Sequence, residues 1–170
     1  MKRTVLAMML MLASMIAINA QSLTGKQWYT VMPADGGQDV VVGVTFEESG
    51  TCELLIAAQH EVKEGGMPIT ITAGVSVPGT YKHKGDKLKI NFDRDKAEAD
   101  VDYEIEGIDA ATKALVDKEI RPQLEGLKDE LKKEMLNGMP EIDDLKIVEL
   151  TATRLVVKDS AGDEMTFNAK

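Results

Sequence analysis

Alternation of apolar and polar residues is the pattern that most constrains the fold of this chain. Residues 39–48 place an apolar side chain at every second position, and residues 51–62 do the same. A period of two puts all the apolar side chains of a strand on one face. The pattern returns in residues 69–77, 88–92, 99–105, 147–150, 155–157 and 165–167.

Short polar turns separate these segments and predict consecutive antiparallel strands. We expect a mainly β fold with eight to nine strands. A closed barrel is favoured because closure removes exposed sheet edges. A two-sheet sandwich is the alternative.

The segments ending at Phe92 and beginning at Ala99 are expected to pair as a hairpin. Placing these two residues opposite each other also places Lys89 opposite Asp102, which brings opposite charges together. This register turns a series of carboxylates to the solvent. The series comprises Glu98, Asp100, Asp102, Glu104 and Glu106.

Residues 108–138 interrupt the β pattern and predict a helical insertion before the last strands. Asp109 is a suitable N-cap, and Pro122 suits the first turn of a second helix, so we expect a helical hairpin. The apolar face of the second helix carries Leu124, Leu127, Leu131 and Met135. These four residues are candidates for a lid over the barrel mouth, and packing against the outer wall is the alternative.

The N-terminus predicts export. Lys2 and Arg3 precede an apolar run at residues 5–18, which is shorter than the ~20 residues of a spanning helix. We therefore expect a signal peptide at residues 1–20 and one barrel domain at residues 21–170. The product is periplasmic or secreted, and an uncleaved anchor is the alternative. No cysteine closely follows the apolar run, so a lipoprotein is not expected.

The charge balance bears on possible partners. The formal net charge is −9. Loss of Lys2 and Arg3 with the signal peptide changes it to −11. A strongly acidic chain argues against nucleic acid and against an anionic bilayer. The lone cysteine, Cys52, shares a strand face with Leu54, so we expect a buried and inert thiol.

Several short segments carry a family resemblance. They are Leu-Thr-Gly-Lys-Gln-Trp at 23–28, Val-Thr-Phe at 44–46, Gly-Thr-Tyr-Lys at 79–82 and the C-terminal stretch 150–157. In these residues the chain resembles small secreted bacterial lipocalin-like domains of the calycin group. The resemblance implies that Trp28 closes one barrel end beneath Arg154. Two residues separate Gly25 from Trp28, where the family pattern has one.

The leading functional expectation is a barrel that binds a small apolar or amphipathic ligand in its lumen. The same inward residues would equally serve as a filled core. The candidate lumen residues are Val42, Val44, Phe46, Leu54, Ile56, Ile71, Val75, Leu88, Ile90 and Tyr103.

Two alternatives place the function on the surface. In the first, a filled barrel contacts another envelope protein through an exposed apolar patch. In the second, the loop expected at residues 61–68 inserts into a partner. We expect no enzymatic activity, because neither His60 nor His83 has an acid or nucleophile at motif spacing. No metal site and no cofactor are predicted.

Overall fold

The computed structural model describes residues 22–33, 39–64, 67–139 and 142–170. These ranges contain nine β-strands, a 3-10 turn at Arg94–Lys96 and one α-helix, α1, at Ala110–Asn137. The strands are β1 (Gln27–Pro33), β2 (Asp39–Phe46), β3 (Thr51–Glu64), β4 (Met67–Lys84), β5 (Lys87–Phe92), β6 (Glu98–Ile105), β7 (Asp144–Leu150), β8 (Arg154–Lys158) and β9 (Glu164–Ala169). The predicted signal peptide, residues 1–20, lies outside the described residues.

Eight strands close into a barrel in the order β3-β2-β1-β9-β8-β7-β5-β4, and the pairing of β4 with β3 completes the ring. All neighbouring strands are antiparallel. Among the described strands, β6 pairs with β4 alone and lies outside the ring. The prediction of a mainly β, antiparallel barrel with a helical insertion before the last strands is confirmed.

The predicted hairpin between β5 and β6 is wrong. Phe92 lies opposite Gly79 on β4, and Ala99 lies opposite Val75 on the same strand. The two strands therefore follow each other along one edge of β4. The 3-10 turn between them carries the chain onward instead of reversing it, and the amide of Asp93 donates to the carbonyl of Pro78 at 2.8 Å.

The predicted helical hairpin is also wrong, since the insertion is one helix with Pro122 inside it. Asp109 is its N-cap, as expected, and accepts from the amides of Ala111 and Thr112. Ile120 and Leu124 lie on either side of Pro122 and pack on the same cluster of β4 and β6 side chains. This shared packing holds both halves of the helix in line. No helix in the described residues is long and apolar enough to cross a membrane.

The inward-facing side chains form two hydrophobic clusters. The larger cluster fills the barrel. The smaller one lies where α1 packs on β4 and β6, and its buried members are Val101, Tyr103 and Leu124. Residues at every second position of a strand share a face, so Ile71 in the smaller cluster and Val75 in the larger lie on the same side of β4. The helix thus covers the part of the inner sheet face that extends beyond the ring.

Candidate functional site

The candidate lumen residues divide between the two clusters. Eight of the ten are 0–5% exposed and belong to the barrel cluster. A space that admitted water beside these side chains would leave part of their surface accessible, so they pack against one another across the barrel. The eight residues are Val42, Val44, Phe46, Leu54, Ile56, Val75, Leu88 and Ile90.

The other two candidates, Ile71 and Tyr103, lie outside the ring. Both belong to the smaller cluster beneath α1. They are adjacent there, because Ile71 on β4 is opposite Tyr103 on β6. Alternation puts both residues on the inward face of their strands, but it does not show that this face extends past the barrel.

The four lid candidates have different surroundings. Leu124 is buried in the smaller cluster, and Leu131 packs against that cluster. Met135 packs against the barrel cluster, whereas Leu127 is 47% exposed. The helix therefore lies along β6, and only its C-terminal end meets the barrel core.

Trp28 is fully buried at one barrel end, where its indole N–H donates to the carbonyl of Leu23 at 2.8 Å. The cation over its ring is Lys26, whose Nζ lies 5.3 Å from the ring centroid. The same ammonium donates to the carbonyl of Ala152 at 2.8 Å, which ties the start of the chain to the β7–β8 connection. Arg154 instead forms an ion pair with Glu149 at 3.4 Å.

The two histidines lie on different strands, and the loop that was expected between β3 and β4 is short. Strands β3 and β4 extend into most of the loop that was expected at residues 61–68. His60 lies on β3, and His83 on β4 has its Nε2 2.8 Å from the carbonyl oxygen of Gly85. Within the described ranges, no group of three or more histidine, cysteine, aspartate or glutamate side chains could hold a metal ion.

An apolar patch on the outer barrel face is the feature that sequence reasoning missed. The β1–β3 patch consists of Tyr29, Val31, Val41 and Leu55. Val31 is 52% exposed, Val41 39% and Leu55 36%, and Tyr29 is half-buried. The signal was present in the sequence, since Val41 and Leu55 are apolar at positions where the alternation calls for polar residues.

Gly43 lies in the middle of this patch and creates a depression. Tyr29 on β1 and Leu55 on β3 are both directly opposite Gly43 on β2. Because glycine has no side chain, the barrel surface is recessed between the side chains of Tyr29 and Leu55. The depression has a volume of about 450 Å³, and Gln27 and Lys170 add polar groups to its wall.

No protein-family model matches this chain, and no curated protein is similar enough in sequence to be called a relative.

Proposed function

We propose that this chain is an exported, non-enzymatic, lipocalin-like barrel of the calycin type that binds a protein partner through the β1–β3 patch. The observation that carries this proposal is the distribution of apolar surface. The barrel interior is packed with its own side chains, while large apolar residues are exposed together on one outer face. Contiguous exposed apolar surface is typical of interaction sites.

The lipocalin-like part of the proposal is supported by the eight-stranded antiparallel ring and by the buried Trp28 at its end. Lys26 takes the position over the ring that the resemblance assigns to Arg154. A lysine two residues before the tryptophan would close the barrel end in the same way, by cation–π contact.

The shape of the patch defines what the partner must present. A depression between Tyr29 and Leu55 fits one apolar side chain inserted over Gly43, with Val31 and Val41 as the flanking contact surface. A side chain buried in such a depression is shielded from water on all sides, which is the setting in which single residues dominate binding.

Gly43→Val offers a sharp test because it fills the depression without changing charge. A Cβ at this position would approach other atoms no closer than 3.5 Å, and valine favours strands, so the barrel is expected to fold normally. The matched control is Asn91→Val, on the exposed face of β5.

The measurement is photo-crosslinking in the native host, with the reactive group placed at Val31 or, for comparison, at Thr166 on β9. We expect a discrete protein adduct from Val31 that is lost in Gly43→Val and kept in Asn91→Val. Equal adducts from both positions, or an adduct insensitive to Gly43→Val, would contradict the proposal. A small-molecule adduct in native mass spectrometry would instead favour the carrier function.

A further inference from the structure

Eight outward-facing residues of β1–β4 form two neighbouring rows that cross these strands. Each row takes one residue from each strand, and strand pairing sets the order. From β1 to β4, the first row consists of Val31, Val41, Ala57 and Gly74. The second row, one alternation away, consists of Tyr29, Gly43, Leu55 and Ser76. The two rows contain the β1–β3 patch and extend it onto β4.

The second row holds a depression and a side chain that fits it in adjacent positions. Leu55 on β3 lies directly opposite Gly43 on β2, and its side chain is exposed. A face of this kind is complementary to itself. We propose that the partner of the β1–β3 patch is a second copy of this chain, bound in a symmetric dimer. The inference rests on the proposed function, because it names the partner that occupies the same patch.

A twofold axis between β2 and β3, parallel to both strands, brings the two faces together. Sheets that pack face to face keep their strand directions within about 30° of each other, and this axis satisfies that preference. It reverses the order of the strands and preserves the position along each strand, so β2 lies over β3 of the partner subunit. Leu55 of each copy then enters the depression over Gly43 of the other, and Val41 lies over Ala57.

The outer strands follow the same pattern. The axis places β1 over β4 of the partner subunit, so Val31 meets Gly74 and Tyr29 meets Ser76. The barrel surface curves away on either side of the axis, and the larger side chains of β1 extend across the widening gap. Every contact between the rows therefore joins a larger residue to a smaller one. A twofold axis perpendicular to the strands would place Tyr29 over Val31, so the pattern selects the parallel axis.

The distribution of charge is compatible with a second copy as the occupant. The whole chain has a net charge of −9, so two copies repel each other over most of their surfaces. All eight residues of the rows are uncharged. The exposed carboxylates of Asp39 and Glu53 lie just beyond the rows, and the same axis places them over Gln59 and Thr45. The contact thus has an apolar centre and a polar rim, as specific interfaces do.

The size of the contact predicts a weak dimer. Strands lie about 4.8 Å apart, and outward residues of one strand about 6.8 Å apart. The two rows and the polar residues next to them occupy about four positions on each of four strands, which is about 500 Å² per copy. The total of about 1,000 Å² is at the lower limit for a specific interface, so we expect a dissociation constant in the micromolar range.

The test uses two variants that alter opposite sides of the same contact. Gly43→Val fills the depression, and Leu55→Ala removes the side chain that enters it. Each variant alone should dimerise poorly, but an equimolar mixture of the two should recover. The first variant keeps Leu55, the second keeps Gly43, and the alanine of the second leaves room for the valine of the first. Asn91→Val on the exposed face of β5 is the matched control.

The measurement is sedimentation velocity of the protein as processed by its native host, from about 1 to about 500 μM. We expect the unmodified protein and Asn91→Val to form dimers as their concentration rises. Association should be at least about tenfold weaker in each of the other two variants, because each substitution acts twice in a symmetric dimer. Circular dichroism checks that all variants remain folded.

An unmodified protein that stays monomeric over this range would overturn the inference. A dimer that neither variant weakens, or a mixture that does not recover, would overturn it as well. The photo-crosslinked adduct from Val31 tests the proposed function separately. An adduct with a different protein that is lost in Gly43→Val would support the proposed function and exclude the second copy. A monomeric protein that yields no adduct would overturn both.

Discussion

The hydroxyl group of Tyr103 on β6 donates a hydrogen bond to the carboxylate of Asp117 on α1. Tyr103 is 6% exposed and lies in the smaller cluster, so this bond joins helix and sheet at the edge of a buried apolar contact. Asp117 is also 3.5 Å from Arg121, one helical turn later. The phenol and the guanidinium thus share one carboxylate.

Tyr103→Phe is expected to destabilise the fold by about 1 kcal/mol, the usual net contribution of such a bond. The ring and its packing remain, and only the hydroxyl is lost. Urea unfolding followed by circular dichroism measures the difference. The matched control is Tyr29→Phe on the outer barrel face, which should change stability little. An unchanged urea midpoint in Tyr103→Phe would show that the bond does not hold the helix.

Because of the same phenol group of Tyr103, we expect the protein to lose stability at high pH. Burial, the bond to Asp117 and the negative charge of that carboxylate raise the pKa of Tyr103 to about 12, from the ordinary value of 10.0. The unfolded chain therefore releases this proton first, and the stabilisation present below pH 10 is lost as the pH rises towards 12. The free energy of unfolding should fall more steeply over this interval in the unmodified protein than in Tyr103→Phe.

Two glycines should respond in opposite ways to alanine. A Cβ at Gly79 would lie 2.7 Å from the carbonyl oxygen of Asn91 and 2.9 Å from the ring of Phe92, so Gly79→Ala should cost about 1–3 kcal/mol. A Cβ at Gly126 in α1 meets no atom within 4 Å. Gly126→Ala should stabilise the protein by about 1 kcal/mol through helix propensity. Thermal unfolding of both variants distinguishes crowding from a general effect of removing glycine.

Lysines that lie opposite each other on β4, β5 and β7 lead us to expect that a loss of charge increases stability. Lys87 has a lysine opposite it on both sides, whereas Lys89 has Lys82 on one side and an ion pair of 3.5 Å with Asp144 on the other. Lys87→Thr should therefore stabilise the barrel by about 0.5 kcal/mol. Lys89→Thr, the same change two residues later, should be neutral or destabilising. The changes in the free energy of unfolding of the two variants are compared at low salt. An increase in stability only in Lys89→Thr would contradict this prediction.

Local patterns were sufficient to predict eight of the nine strands, the barrel and the start of the helix, whereas β1 (Gln27–Pro33) was not among the predicted segments. The alternation of residues fixes which side chains face inward, and the side chain of Asp109 satisfies the first helical amides without help from the rest of the fold. For the same reason, eight of the ten candidate lumen residues lie in the hydrophobic cluster of the barrel.

The errors arose where partners are distant in sequence. Opposite charges favoured a hairpin between β5 and β6, but β4 is long enough to offer both strands one edge. Pro122 indicated a break, but the packing of Ile120 and Leu124 on the sheet outweighs that local preference. In each case tertiary contacts overrode a local preference.

The alignment of lysines across β4, β5 and β7 was only partly predictable from the sequence. The lysines at 82, 84, 87 and 89 alternate around the turn at Gly85 and Asp86, and this pattern indicates a basic hairpin. The contribution of Lys146 depends on the pairing of β5 with β7, which a helix and more than fifty residues of chain separate.

Cys52 is expected to be inert while the barrel is folded. It is 4% exposed, and burial raises its pKa to about 11, so the reactive thiolate is scarce near neutral pH. A thiol reagent at pH 8 should label it only as fast as the protein unfolds, and the urea midpoint for labelling should match that from circular dichroism. In a Cys52→Ser background, Ser160→Cys on the exposed β8–β9 turn should react at once. Rapid labelling of native Cys52 would mean that the barrel end near Gly79 opens without global unfolding, since a Cβ at Gly79 would lie 3.2 Å from its sulfur.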